Sequence, residues 1–257
     1  MMSVLSSRGG YQLERIMKFR STLFQFFLPP QCPCCEKFLE EGQQGVCSNC
    51  LSEIRWIVPP FCSICGIPFI SKEIEGHPCG ACMTHRKYFT IARALGAFEG
   101  SLQEAIYRWK YEGKTHLTPF LAEWMAEGLN RYWGPDSLDL LIPVPLHPQR
   151  LRQRGFNQAL LLVKELSRRT GIPYPKTILQ KKKSTIPQVN LSGVEREKEV
   201  RGTFHVIGRE ELLGKSVLLV DDVYTTGATV NECSKVLLRG GAERVDVLTL
   251  AHAIKSS

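Results

Sequence analysis

Two adjacent carboxylates, Asp221 and Asp222, are followed closely by a hydroxyl-rich glycine turn, Thr225-Thr226-Gly227-Ala228-Thr229. The chemistry open to such a group is recognition of a phosphorylated sugar. A glycine turn entering a helix amino terminus offers unpaired N–H groups and a positive dipole end to a phosphate. The threonine hydroxyls add donors to the same oxygens, and two carboxylates beside that cup can accept hydrogen bonds from vicinal sugar hydroxyls. The expected ligand is therefore a ribose carrying a 5′-phosphate. The plainer alternative is a pair of strand-end acids before a capped helix, but a cap rarely needs two acids and three threonines together.

The elements that must position these residues are written around them. Val217, Leu218, Leu219 and Val220 form a short apolar run that predicts a buried parallel strand, and open α/β sheets bind ligands at the carboxyl ends of such strands. A helix is expected over 228–239. Upstream, residues 138–144 predict a second apolar strand, ending in Pro145-Leu146-His147-Pro148. A basic run over 149–154 follows, and then Gly155-Phe156-Asn157-Gln158 opens a helix to about Arg169. Strand, anion-seeking loop and helix thus occur twice, the logic of a doubly wound sheet. Residues 89–99 predict a strand pair, and 102–111 and 117–132 predict helices separated at Gly113. Residues 204–207 predict a strand, and 245–251 a strand that closes the parallel sheet. The stretch 181–202, with Gln188, Arg196 and Arg201, lacks apolar periodicity and reads as a loop. Gly214-Lys215-Ser216 imitates the end of a P-loop, but Arg209 stands where its first glycine is required and the residues after it are strand-like. It reads as the turn feeding the strand, which argues against a nucleotide hydrolase of that class.

Nine of the ten cysteines lie between Cys32 and Cys82, mostly as C-x-x-C pairs. Cys32/Cys35 and Cys47/Cys50 are eleven residues apart, and Cys62/Cys65 and Cys79/Cys82 thirteen. Each pair lets two thiolates reach one tetrahedral zinc at about 2.3 Å. Two consecutive zinc ribbons of four cysteines each are the simplest arrangement, with two structural zinc ions. Cys34 is an extra thiol in the first knuckle; the C-x-x-C spacing prefers Cys32 with Cys35. His77 and His85 lie close enough to replace a cysteine, though each reads better as a surface histidine. So small a ribbon cannot bury enough apolar surface alone, and its metal supplies much of its folding free energy.

Length, charge and composition bound the rest. A chain of 257 residues with 43% apolar content can hold one large core plus a smaller module. The formal net charge of +8 favours phosphates, nucleic acid or an acidic membrane face as partners. Paired cysteine knuckles without a recognisable secretion signal point to a reducing compartment, the cytoplasm. The expected organisation is an amino-terminal helix over 1–30, a double ribbon over 31–86 and an α/β domain over 87–257. Within the first of these, residues 17–28 are basic and then apolar, too short a run to span a bilayer. They read as an amphipathic helix packed on the protein, or as a peripheral contact with the inner face of the membrane through Phe24, Phe26, Phe27 and Leu28. Met17 is an alternative start. Tyr107-Arg108-Trp109-Lys110-Tyr111, with Lys114, interleaves aromatics and cations as single-strand binders do; the competing reading is a helix with its aromatics in the core.

Residues 217–230, VLLVDDVYTTGATV, resemble the phosphoribosyl pyrophosphate loop of type I phosphoribosyltransferases: four apolar residues, two acids, two spacers (Val223 and Tyr224), then Thr-Thr-Gly-x-Thr. The resemblance implies an α/β fold of that type, a parallel sheet flanked by helices, here with a small amino-terminal zinc-ribbon module. It implies phosphoribosyl pyrophosphate or a related ribose 5-phosphate as ligand, with magnesium held mainly by the diphosphate and ribose oxygens. Asp221 and Asp222 would orient the ribose hydroxyls, and Val223, Tyr224, Thr225, Thr226, Gly227, Ala228 and Thr229 would hold the 5′-phosphate. Residues 145–155 would correspond to the pyrophosphate loop, with Arg150 and Arg154 supplying charge, and 181–202 to the loop that closes over the substrate.

The combined order of cysteine ribbons, IPVPLHPQRLRQRGFNQ, PQVNLSGVEREKEVRGTF and VLLVDDVYTTGATV closely resembles the ComF/GntX family from about Leu28 to Ala251. These are competence-associated proteins with a phosphoribosyltransferase domain. The resemblance implies a part in DNA uptake, with single-stranded DNA and proteins of the competence machinery as partners. A domain that senses phosphoribosyl pyrophosphate without turnover is a further reading. Glu199 departs from the family pattern, which usually has Asn before the Val-Arg pair.

Overall fold

A computed structural model describes residues 30–254 apart from 41, 44, 71–75, 135, 176 and 183–199. The amino-terminal helix expected over 17–28, and most of the loop expected over 181–202 with Gln188, Arg196 and Glu199, lie outside the described residues. Among the described residues no helix is long and apolar enough to cross a membrane.

The centre is a four-stranded parallel sheet in the order β1-β6-β5-β2. Its strands are β1 (Ala92–Ala97), β2 (Leu140–Pro143), β5 (Ser216–Tyr224) and β6 (Arg244–His252). Two short strands, β3 (Leu179–Lys181) and β4 (Phe204–Val206), pair antiparallel beside it. Alternation along each strand sends side chains to two cores, as a doubly covered sheet requires. Leu141, Leu218, Val220, Leu248 and Leu250 face one core, shared with the helices α3 (Gly100–Tyr111), α4 (Thr118–Tyr132) and α6 (Gln158–Thr170). Leu140, Ile142, Val217, Leu219, Val245 and Val247 face the other, packed on α7 (Ala228–Gly240) through Val230, Cys233 and Leu237. The continuous apolar character of residues 217–220 follows from this: all four are fully buried, two on each face.

Three expectations need correction or refinement. Residues 89–99 hold a single strand, β1, and not a pair. Gly96 supplies no turn but close packing, since a Cβ there would lie 2.7 Å from Leu102 and 3.2 Å from the Arg55 carbonyl. The basic run after β2 is a short helix, α5 (Pro148–Arg154), rather than a loop. Pro148 opens it, His147 Nδ1 accepts the Gln149 N–H at 3.2 Å, and Gly155 at φ +77° closes it. The last strand, β6, completes the parallel sheet as expected, and does so from within, filling the place between β1 and β5 with eight register partners along β5. The imitation P-loop is a turn, with Gly214 at φ +68° directly before β5.

The ribbons dock on this fold differently. In the first, with α1 (Ser48–Ser52), Cys32, Cys34, Leu39 and Cys50 cluster with Ala105 of α3, and Gly45 lies against the Phe120 ring of α4. In the second, with α2 (Gly80–Thr84), Cys62 and Cys65 belong to the core beneath α7, together with Phe89, Val217 and Val247. Gly66, at φ +72°, lies so close to β1 that a Cβ would stand 2.6 Å from the Ala92 carbonyl oxygen.

Candidate functional site: a strand-end cradle and two cysteine tetrads

β5 runs further than the apolar tetrad alone, through both acids to Tyr224, because Val223 and Tyr224 still pair with Ala251 and His252 of β6. The carboxylates are thereby fixed on ordered strand. Asp221 Oδ1 accepts the Asp222 N–H at 2.9 Å, and Asp222 Oδ1 meets Lys110 Nζ, from the last turn of α3, at 2.8 Å. Those two side chains are only 14% and 13% exposed, so this pair is shielded from the screening that weakens surface ion pairs. Burial, and then the Asp222 charge, push the Asp221 carboxyl up to about 8, against the opposing pull of Lys110 and Lys181.

After Tyr224 the chain turns through Thr225, Thr226 and Gly227 into α7. Gly227 adopts φ +76°, and a Cβ there would run into the Tyr224 ring and hydroxyl. Only glycine satisfies both conditions. Thr226 Oγ1 accepts the Ala228 N–H at 3.3 Å, and the Gly227 carbonyl accepts the Asn231 N–H at 2.8 Å. Thr225 is exposed, Thr226 and Thr229 are half-buried, and Ala228 is buried. Tyr224 turns its side chain inward, stacked on His252 at 4.6 Å and edge-on to Phe89 at 6.3 Å. Its ring underpins the turn, which leaves its backbone to serve a ligand; Val223 likewise packs against the core.

Arg150 and Arg154 project from α5 into a groove of about 610 Å3, lined also by Lys110, Tyr111, Gly113 and Phe156. The Arg154 guanidinium lies 4.6 Å from the Tyr111 ring centroid. Lys110 therefore connects this basic groove to the acids of β5. From the sequence, Lys110 stands among single-strand-binding candidates and not beside Asp222. The two lie 112 positions apart, and no local pattern marks the contact. The interleaved segment around it is split in fate. Trp109 is fully buried, its Nε1–H donating to Thr118 Oγ1 at 3.0 Å. Tyr107 and Tyr111 are exposed, with rings 4.9 Å apart. Arg108 pairs with Glu36 and Glu104, and Lys114 with Glu36 and Glu112.

The cysteines converge as two tetrads, Cys32/Cys35/Cys47/Cys50 and Cys62/Cys65/Cys79/Cys82, each with all sulfurs within 4.8 Å of one another. Cys35 and Cys47 Sγ are 3.8 Å apart, and Cys65 and Cys79 Sγ 3.7 Å. A tetrahedron with Zn–S bonds of about 2.3 Å has sulfurs about 3.8 Å apart, so both sets fit zinc. Backbone N–H groups also point at the sulfurs: Cys47 N donates to Cys32 Sγ at 3.4 Å and Cys79 N to Cys62 Sγ at 3.1 Å. Burial opposes ionisation of Cys32 and Cys62, but the backbone N–H donors around each sulfur, led by Cys47 at the first and by Cys65 and then Cys79 at the second, prevail and bring the two thiols down to about 6 and about 7. Thiolate is the ligating form. Cys34 stays outside the first tetrad, as the C-x-x-C spacing requires, and burial drives its thiol well above the usual range. His77 and His85 join neither set.

Residues 23–83 match the double zinc ribbon domain family, and residues 157–256 the phosphoribosyl transferase domain family. The chain is 32% identical over 227 residues to Competence protein F of Haemophilus influenzae, covering 87% of this chain and 97% of that protein. It is 29% identical over 230 residues to DNA utilization protein YhgH of Escherichia coli, covering 88% and 99%. It is 26% identical over 230 residues to Competence protein ComFC of Bacillus subtilis, covering 84% and 88%. With two cysteine tetrads ahead of a parallel sheet that ends in the acid and threonine-glycine turn, the chain belongs to the ComF/GntX family of competence-associated proteins, which join a double zinc ribbon to a phosphoribosyltransferase domain.

Proposed function

We propose that this protein binds phosphoribosyl pyrophosphate, or a related ribose 5-phosphate, in the cradle from Asp221 to Thr229, and that it serves DNA uptake by handling single-stranded DNA. One observation carries the ligand: a single strand end presents two carboxylates and, directly after them, a glycine turn into the amino terminus of a thirteen-residue helix. Asp221 and Asp222 accept hydrogen bonds from the ribose hydroxyls. Thr225, Thr226, Thr229 and the backbone of the turn hold the 5′-phosphate, which fixes the anomeric carbon in place. Arg150 and Arg154 meet the diphosphate from the adjoining groove. The oxygen-rich set of two carboxylates and threonine hydroxyls suits magnesium, which when bound neutralises charge on the diphosphate.

The ionisation of Asp221 gives a signed test. Hydroxyl groups donate more strongly to a carboxylate than to its protonated form, which keeps only its neutral carbonyl acceptor, so ligand binding favours the ionised acid. Affinity for ribose 5-phosphate rises as pH increases through about 8, and Asp221→Asn removes that step. Isothermal titration across this range checks it; a flat wild-type profile contradicts it. The linked stability effect has the opposite sense. The folded state holds this proton more tightly than the unfolded chain, so Asp221 makes stability decline from about pH 4 up to about 8, above which its contribution is constant.

Two things support the DNA role: the names of relatives matched over most of their length, a competence protein and a DNA utilization protein, and the exposed Tyr107–Tyr111 pair with Arg154 against it. Stacking is worth about 1–3 kcal/mol per base. Fluorescence anisotropy with a labelled single-stranded oligonucleotide should show affinity that falls with salt and falls again when both tyrosines become alanine. Affinity indifferent to salt or to both substitutions counts against this reading. Turnover is tested by pyrophosphate release from phosphoribosyl pyrophosphate with a panel of bases, expected to vanish in Asp222→Ala. Failure across the panel leaves a binding protein.

A further inference from the structure

The side of α7 that its core-facing residues Val230, Cys233 and Leu237 leave free carries a second basic pocket, of about 430 Å3. Its walls include Arg86, Lys87 and Tyr88 from the exit of the second ribbon, Arg201, and Glu232 and Lys235 of α7, and at Ala228 it adjoins the turn at 225–229. Asn231 holds the walls together: its side-chain carbonyl accepts the Tyr88 N–H at 2.7 Å, and its amide donates to the Arg86 carbonyl at 3.2 Å. The ribbon exit is thus tied to the helix, and Arg86 and Lys87 are anchored beside it.

Charge in this pocket is unbalanced. Four cations, Arg86, Lys87, Arg201 and Lys235, share one lining carboxylate, Glu232. That carboxylate already serves Lys235 at 3.5 Å and the Gly202 N–H at 2.9 Å. Among the described residues, Arg86, Lys87 and Arg201 form no ion pair. Like charges gathered in a recess repel, and a multivalent anion relieves that repulsion while accepting several charge-assisted hydrogen bonds. The Tyr88 ring does not offer a free face to a base, because the Arg86 guanidinium and Lys235 ammonium lie 5.0 Å and 5.6 Å from its centroid.

We infer that this pocket is a second anion site that takes a phosphate group, adjoining the turn at 225–229 through Ala228 but drawing its charge from other side chains, Arg86 and Lys87 foremost, and independent of whether that turn binds ribose 5-phosphate. The test uses the full-length, zinc-loaded chain in magnesium-free buffer, titrated with inorganic phosphate in the presence of saturating ribose 5-phosphate. The unmutated protein takes up phosphate under these conditions. Arg86→Gln/Lys87→Gln raises the phosphate Kd by about tenfold or more and leaves ribose 5-phosphate affinity unchanged. A charge-matched control at exposed positions, Arg131→Gln/Lys164→Gln, leaves both unchanged. Equal phosphate affinity in the pocket variant and the unmutated protein overturns the site, as does an equal loss in the control or no phosphate uptake once the cradle is filled. If ribose 5-phosphate itself does not bind, the cradle reading fails, and phosphate alone still compares the two variants. A short single-stranded oligonucleotide that displaces the phosphate identifies the anion as a strand backbone; phosphate uptake that it does not disturb identifies a free phosphorylated ligand.

Discussion

Loss of zinc from the second ribbon will destabilise the whole chain, whereas loss from the first will remain local. Elemental analysis should find two zinc ions per chain, reduced to one by either Cys35→Ser or Cys65→Ser. The thermal consequences should differ sharply. Cys62 and Cys65 share a core with Phe89, Val217, Val247 and Leu237, and Gly66 is pressed on the backbone of β1. Disordering that ribbon strips one cover from the central sheet and exposes strands that are apolar on both faces. The first ribbon meets the fold through Ala105, through Gly45 against the Phe120 ring, and through polar links, Ser101 to Glu53 at 2.7 Å, Lys114 to Glu36 at 2.9 Å and Arg108 to Glu36; its four ligands contribute no side chain to the main core. Structural zinc contributes on the order of 10 kcal/mol to a small ribbon. If several kcal/mol of this are coupled to the main core, Cys65→Ser lowers Tm by about 10 °C or more, at roughly 2–4 °C per kcal/mol. Cys35→Ser should leave the main transition within a few degrees and add a separate, low-temperature one. Equal shifts for the two variants would show that the ribbons are energetically alike.

Gly227→Val should abolish ligand binding and cost the fold about 2–5 kcal/mol. Two penalties add at this residue. A β-branched side chain strongly disfavours φ +76°, and its Cβ would occupy space held by the Tyr224 ring. Tyr224 cannot retreat, because it is buried between His252 and Phe89. The turn must therefore move, carrying Thr225 and Thr226 away from the end of the helix. The less severe Gly227→Ala isolates the collision. Combined with Tyr224→Phe, which deletes the nearest obstructing atom, it should recover part of the lost stability, a non-additive pair by urea denaturation. If the double variant were simply the sum of the two singles, the collision would not be the cause.

How much of this could be read from residues alone depended on distance along the chain. The cradle is local: apolar strand, two acids, glycine turn and helix fit within residues 217–240, so each part announces its neighbour. The cysteine tetrads are nearly as legible, because zinc fixes the spacing within each knuckle and the pairs follow in order. The helix over 148–154 was missed although its proline start and glycine stop were in plain view, since a dense run of arginines suggested an anion-seeking loop. The strand pair expected over 89–99 failed because Gly96 marks a close approach and not a reversal. Other features are tertiary alone. Lys110 meets Asp222, and Asn231 meets Arg86 and Tyr88, only because segments far apart in the chain pack around one sheet. The buried Trp109 between exposed Tyr107 and Tyr111 shows the same limit: helical spacing placed the two tyrosines together, but not on which side of the surface.

The most direct measurement is isothermal titration of the zinc-loaded protein with ribose 5-phosphate and with 2-deoxyribose 5-phosphate, repeated on Asp221→Asn/Asp222→Asn. The unmutated chain should bind one equivalent of ribose 5-phosphate, prefer it by about tenfold over the deoxy sugar through loss of one hydrogen bond to a charged group, and lose that preference when both acids become amides. Absence of binding, or a preference that survives the double substitution, would contradict a sugar-phosphate cradle at the end of β5.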